Sequence, residues 1–220
     1  MTGGEYYDAM VEAVRGRGNF FKATCEDGTA FADSSFRYVV GETATAKGAG
    51  TRLCARGLLH FADVPAETLV GGSWPCRLFE VAPGKIIARN GFKCGAKSLI
   101  VVRELPAWLA LGPNGRGVAQ FLTELAVLGR STRAADRVAA LVAALVAARN
   151  ASRVAALAAA GAAAWDADRD AAGDAAGALV VADLITPKQL ATLYAPFAAR
   201  LPLEALRERA IAAFPLTLQP

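Results

Sequence analysis

The chain has 220 residues, of which 54% are hydrophobic and 20% are charged. This composition is typical of a folded globular protein and excludes a largely disordered one. The net charge of +4 is spread evenly, since residues 1–105 carry 13 basic and 11 acidic groups and residues 106–220 carry 11 and 9. A nucleic-acid surface shows clustered cations, so this even pattern argues against a nucleic-acid partner.

The N-terminal region shows no sign of a secretion signal. The first twenty residues contain Glu5, Asp8 and Glu12 and lack an apolar segment. The longest apolar stretch, Val138 to Ala148, is too short to span a bilayer. We therefore expect a cytoplasmic protein without membrane association, in which the cysteines are reduced.

Strand-like segments and turn signals alternate over residues 20–105. The predicted strands are Phe20–Thr24, Phe36–Val40, Cys76–Val81, Lys85–Arg89 and Ser98–Glu104, with a strand or strand–turn over Thr51–Phe61. The predicted turns are Asp27-Gly28, Pro83-Gly84 and Asn90-Gly91. Short helices are predicted at Glu5–Arg15 and, as a single turn, at Pro65–Leu69. The pattern indicates an antiparallel β-rich domain over residues 1–105.

Helical patterns begin after Pro106. The predicted helices are Val118–Leu128, Thr132–Arg149, Ala151–Trp165, Asp168–Leu184, one that opens at Thr186-Pro187, and Leu203–Ala213. Threonine as N-cap with proline at the first helical position is a strong start signal. The sequence thus predicts an α+β protein, with a β-rich domain (1–105), a linker (106–117) and an all-α domain (118–220).

About half of the residues from Ala134 to Ala178 are alanine. Small side chains allow helix backbones to approach closely, but they carry little chemistry. One interpretation is a compact helical hairpin that packs on itself. The other is an assembly surface through which a protein partner, or another copy of the chain, stacks on flat alanine faces.

The segment Leu53-Cys54-Ala-Arg-Gly57-Leu-Leu-His60, together with Tyr38-Val-Val-Gly41 and Lys93 to Leu105, resembles an uncharacterised domain of phage and bacterial proteins. Chains of that kind carry a Cys-x-x-Gly-(Leu/Phe)-His turn, often followed by an alanine tract with Asp-Ala-Ala-Gly repeats. Here one more residue separates Gly57 from the histidine. The resemblance implies this architecture and an association with phage or other mobile elements, and it implies no activity.

Cys54 and His60 form the sharpest pair of reactive residues, and His60 is the single histidine. Across a glycine turn, the imidazole could lower the thiol pKa and produce a nucleophile. The alternative is structural, with Cys54 as a small core residue and His60 bonded to a backbone carbonyl that pins the turn. The residues mark no third catalytic member, which favours the structural alternative.

The same region contains candidate residues for two further kinds of site. The first is a zinc site. Cys25, Cys54, Cys76, Cys94 and His60 are candidate zinc ligands, but spacings of 29, 22 and 18 between the cysteines lack the close pair of most structural zinc sites.

The order Gly57-Leu-Leu-His60-Phe-Ala62, a short helix and Leu78-Phe-Glu80-Val81 resembles ADP-ribosyltransferases. That resemblance implies NAD as cofactor, His60 or Arg52 holding the nicotinamide ribose and Glu80 as the catalytic carboxylate. A charged residue within an alternating strand is ordinarily exposed, which argues against this role for Glu80.

The residues show no convergent set of acid, base and nucleophile. The sequence therefore favours a non-enzymatic protein-binding or assembly module that needs no cofactor. An ADP-ribosyltransferase-like enzyme that uses NAD, and a zinc-binding structural domain, are the alternatives.

Overall fold

A computed structural model describes residues 20–54, 56–70, 72–90, 93–127, 170–183, 185–199 and 201–214. Antiparallel β-sheet forms the N-terminal part and helices form the C-terminal part, which confirms the predicted α+β class. The helices predicted at 5–15, 132–149 and 151–165 lie outside the described residues. Within the described residues, no helix is both long and apolar enough to cross a lipid bilayer.

Within the described residues, nine strands form three antiparallel sheets. Their bounds are β1 Phe20–Thr24, β2 Thr29–Ala30, β3 Asp33–Arg37, β4 Thr43–Thr45, β5 Leu59–Phe61, β6 Arg77–Pro83, β7 Ile86–Arg89, β8 Cys94–Ala96 and β9 Ser98–Leu105. One sheet has the strand order β1-β6-β9-β4, a second has β5-β8-β7, and β2 pairs with β3 as a hairpin. A single bridge between Phe21 and Ala62 links β1 to the chain just after β5.

The four-stranded sheet has a hydrophobic core on each face. Paired residues of adjacent strands lie on the same face, and successive residues alternate between faces. One face contributes Phe21, Leu78 and Leu105 to a helix-side core that includes Trp108 and Phe121. The opposite face contributes to a sheet-side core, whose buried members are Tyr38, Ala44, Leu59, Phe61, Phe79, Val81, Cys94, Ala96, Leu99 and Val101.

The helices pack on one side of the four-stranded sheet. They are a 3₁₀ helix at Pro65–Leu69, a second 3₁₀ helix at Ala107–Leu111, α1 Gly115–Val127, α2 Asp170–Val180, α3 Pro187–Ala198 and α4 Leu203–Ala213. The ring of Phe121 in α1 lies 5.2 Å from that of Phe197 in α3. The helix-side core thus includes residues from both sides of Pro106, and the division into two domains stays a prediction.

Local signals located several elements correctly. The Thr186 side chain accepts a hydrogen bond from the Gln189 backbone, and the Gln189 side chain accepts one from the Thr186 backbone, which forms the capping box of α3. Strand β1, the turn at Pro65–Leu69 and helix α4 have their predicted bounds.

Other elements differ from prediction. Strand β3 ends where the predicted strand Phe36–Val40 begins, and most of Thr51–Phe61 is irregular before β5. Helix α1 begins at Gly115, inside the predicted linker, where a Cβ atom would lie 2.0 Å from the Trp108 carbonyl oxygen. The short strands β4 and β8 were not predicted, because three residues are too few to show an alternating pattern.

Candidate functional site

A cavity of about 740 Å³ lies on the sheet-side face of β1. Strand β1, the β2–β3 hairpin, residues 56–62 and the first 3₁₀ helix form its walls. Its volume is in the range of small-molecule binding sites. Four basic side chains (Lys22, Lys47, Arg56 and Lys93) line it, against two carboxylates among the described residues, Asp33 and Glu67. We refer to it as the cationic cavity.

Lys22 is placed in this cavity by the register of β1. It pairs with Phe79, so its side chain lies on the face opposite that of Phe21. The ammonium is 5.3 Å from the centre of the Tyr38 ring, a cation–π contact. It makes no hydrogen bond or ion pair with a described residue. Burial, and secondarily the charge of Lys93, lower the pKa of Lys22 to about 8.

Aromatic side chains supply the apolar part of the wall. Tyr38 is buried, and its ring lies 5.2 Å from that of Phe36. Burial raises the pKa of the Tyr38 hydroxyl, which therefore stays protonated at neutral pH. Phe31 and Phe61 line the same cavity. The combination of aromatic surface with excess positive charge suits a ligand that has both an apolar and an anionic part.

His60, in β5, lines the cavity as a neutral hydrogen-bond acceptor. The backbone N–H of Cys54 donates to Nε2 of His60 at 3.0 Å, so the proton of the neutral ring is on Nδ1. Burial, followed by the charges of Lys22 and Lys93, lowers the pKa of His60. The structural alternative was thus correct that His60 pins the turn. It was wrong on the partner, which is an amide N–H and not a carbonyl.

Acidification is expected to destabilise the fold through His60. Because the folded-state pKa lies below the unfolded value near 6.5, the stabilisation is present above that pH and is lost as pH falls through the folded pKa. The lost bond to Cys54 is worth about 1 kcal/mol. Urea unfolding at pH 7.5 and pH 5 should show a smaller difference for His60→Gln than for the unaltered protein. Equal differences in the two proteins would contradict this role.

Lys97 contacts the chain segments 46–54 and 56–58, which contribute Ala46, Lys47, Cys54 and residues 56–58 to the cavity wall. Its ammonium donates hydrogen bonds to the carbonyl oxygens of Gly48, Gly50 and Gly57 at 3.0, 2.7 and 2.7 Å. Gly57 has a φ of +116°, and a Cβ atom there would lie 2.4 Å from the Gly50 nitrogen. This close approach therefore requires glycine. Cys54, whose φ is +62°, is exposed, so the prediction of a core position for it was wrong.

Glu80 lies on the other face of the sheet. It pairs with Phe21, is 1% exposed, and accepts a 2.5 Å ion-paired hydrogen bond from Arg103. The expectation that a charged residue in this strand would be exposed was therefore wrong. The reason is that β9 supplies a cation at the paired position.

The structure does not bring together the residues that the transferase alternative requires. His60 lines the cationic cavity and Glu80 does not. Arg52, the other candidate for the ribose, is exposed and also lies outside the lining. A transferase would need its carboxylate within reach of the ligand that the histidine touches.

The four-stranded sheet separates two of the candidate zinc ligands. Cys76 lies in the helix-side core and Cys94 in the sheet-side core, and burial raises their thiol pKa values to about 12 and about 11. Cys25 is half-buried after β1, and Cys54 is exposed. All four are free thiols. Among the described residues, no three histidine, cysteine or acidic side chains are grouped as metal ligands would be.

Sequence reasoning missed the residues that define the cavity, namely Lys22, Lys93 and Tyr38. The only signal was a lysine in the middle of a short strand, Phe20-Phe21-Lys22-Ala23-Thr24, where apolar neighbours indicate burial on both faces. Whether such a lysine has a carboxylate partner depends on strands distant in sequence.

No protein family model matches the chain, and comparisons with curated proteins and with solved structures find no similar protein. The fold and the site therefore define the class only as an α+β protein with a cationic cavity beside its sheet.

Proposed function

We propose that this protein is a binding module that takes a small anionic ligand into the cationic cavity. The observation that carries the proposal is Lys22, a half-buried residue that lines the cavity and has no carboxylate partner among the described residues. Burying a cation without a partner costs free energy, and folded proteins ordinarily pair such groups. An anionic ligand would supply such a partner.

The surroundings of Lys22 support the same conclusion. Lys47, Arg56 and Lys93 add positive charge around the cavity, and charges of one sign in a cleft attract the opposite sign. The carboxylate of Asp33 accepts hydrogen bonds from the backbone and hydroxyl of Ser35, which lower its pKa. It is thus engaged locally and does not pair with Lys22.

The aromatic wall narrows the ligand class. A nucleotide or a similar phosphorylated ring compound has an anionic group for the lysines and a flat apolar surface for the rings of Tyr38 and Phe36. NAD, the cofactor of the transferase alternative, belongs to this class. Because Glu80 lies outside the cavity, the geometry supports binding of such a compound rather than its cleavage.

Assembly through the alanine-rich helices stays a separate prediction. Most of Ala134–Ala178 lies outside the described residues. In the part that is described, Ala175, Ala176 and Ala178 of α2 are buried in the helix-side core of the same chain. These alanines support the interpretation of close packing within the chain.

The proposed function is tested by calorimetric titration with pyrophosphate, ADP and adenosine. We expect pyrophosphate and ADP to bind and adenosine to bind more weakly. Lys22→Met should weaken ADP binding about 10- to 100-fold, the worth of a hydrogen bond to a charged group. It should also raise the free energy of unfolding by roughly 1–3 kcal/mol at pH 7, because the cost of burying the cation is removed.

Lys85→Met is the matched control, because Lys85 is exposed and lies outside the cavity lining. It should change neither binding nor stability. Failure of both pyrophosphate and ADP to bind the unaltered protein would overturn the proposal. Equal affinity of the Lys22→Met variant and the unaltered protein would do the same.

A further inference from the structure

We propose that the Lys22 amine is the reactive group of the cationic cavity and forms an imine with a small carbonyl compound that carries an anionic group. Oxo acids and phosphorylated aldehydes are the compounds of this class. The inference deepens the proposed function and rests on it, since the other cations of the cavity would hold the anionic group while the carbonyl carbon meets Lys22.

Different side chains of the cavity would form the imine and hold the anionic group of the ligand. Nζ of Lys22 lies over the Tyr38 ring and makes no hydrogen bond or ion pair with a described residue. Lys22 lines the cavity, where a bound ligand would meet it. Lys93 and Arg56 line the same cavity, where they would hold the ligand's anionic group. Lys97, by contrast, donates to three carbonyl oxygens and is held in a structural role.

The surroundings also favour the neutral amine, which is the nucleophilic form. An apolar pocket and a neighbouring cation are the two features that activate lysine for imine formation, and both act on Lys22. With a pKa of about 8, its neutral fraction at pH 7 exceeds that of an ordinary lysine on the order of a hundredfold.

The chemical step balances without a further reactant. The lone pair of neutral Nζ attacks the carbonyl carbon, and the carbon–oxygen bond breaks in favour of a carbon–nitrogen double bond. The carbonyl oxygen leaves as water with the two hydrogens of the amine. The step is reversible and involves neither oxidation nor reduction, so it suits a protein that captures a ligand without turning it over.

Glyoxylate, which combines an aldehyde with a carboxylate, is the probe. The protein is incubated with glyoxylate and sodium cyanoborohydride at pH 7, and modified lysines are located by peptide mass spectrometry. We expect Lys22 to be modified at least about tenfold faster than Lys85, since its larger neutral fraction outweighs its lower basicity. Its rate should rise as pH increases through about 8, and excess pyrophosphate should slow modification of Lys22 but not of Lys85.

The possible failures are distinguishable. Equal modification rates at Lys22 and Lys85 would overturn the imine proposal and leave the anion-binding proposal in place. The same conclusion would follow if pyrophosphate binds the protein but does not protect Lys22 from modification. Absence of both pyrophosphate binding and selective modification would overturn both proposals. Selective modification of Lys93 or Lys47 in place of Lys22 would also overturn the assignment of the reactive group.

Discussion

Replacement of Arg103 with methionine is expected to lower the free energy of unfolding by about 3–5 kcal/mol. Glu80 is 1% exposed and Arg103 is its ion-pair partner at 2.5 Å. Without the guanidinium, the buried carboxylate loses the charge that compensates its burial. Equilibrium unfolding in urea at neutral pH measures the change.

The same pair of strands provides the control for this prediction. Arg77 and Glu104 also form an ion pair between β6 and β9, but their side chains are 36% and 44% exposed. Arg77→Met should therefore lower stability by less than about 1 kcal/mol. A double variant, Glu80→Met with Arg103→Met, should recover most of the loss, because no buried charge remains. The interpretation fails if Arg103→Met destabilises no more than Arg77→Met.

Replacement of Lys97 with methionine is expected to lower the free energy of unfolding by about 2–4 kcal/mol, because three carbonyl oxygens lose a charged donor. The cavity wall at residues 46–54 and 56–58 should loosen at the same time. Urea unfolding measures the first effect, and hydrogen exchange of peptides from this wall measures the second.

Lys85→Met again serves as control, and it should alter neither stability nor exchange. The Lys97→Met variant should also bind pyrophosphate more weakly, because Arg56 and Lys47 are positioned by the wall that Lys97 holds. Unchanged hydrogen exchange in the wall would show that Lys97 does not organise it.

Only some of the functional residues predicted from the sequence lie in the cationic cavity. His60 lies in the cavity because β5, which carries it, borders that space. Glu80, Arg52 and the buried cysteines lie elsewhere. Whether a residue faces the cavity depends on how its strand pairs with the neighbouring strands. The pairing of β6 with β9 brings together residues that are 23 positions apart in the sequence, such as Glu80 and Arg103.

Local sequence patterns were sufficient to predict the α+β class, strands β1 and β9, and the helices that begin at Pro187 and Leu203. These follow from alternation, capping residues and proline positions, which act over a few neighbouring residues. Strand pairing in the folded protein buries Glu80 against Arg103. The fold also gives Lys22 no carboxylate partner among the described residues. Burial and charge pairing depend on contacts between strands that are distant in the sequence. Patterns over a few neighbouring residues therefore do not predict them.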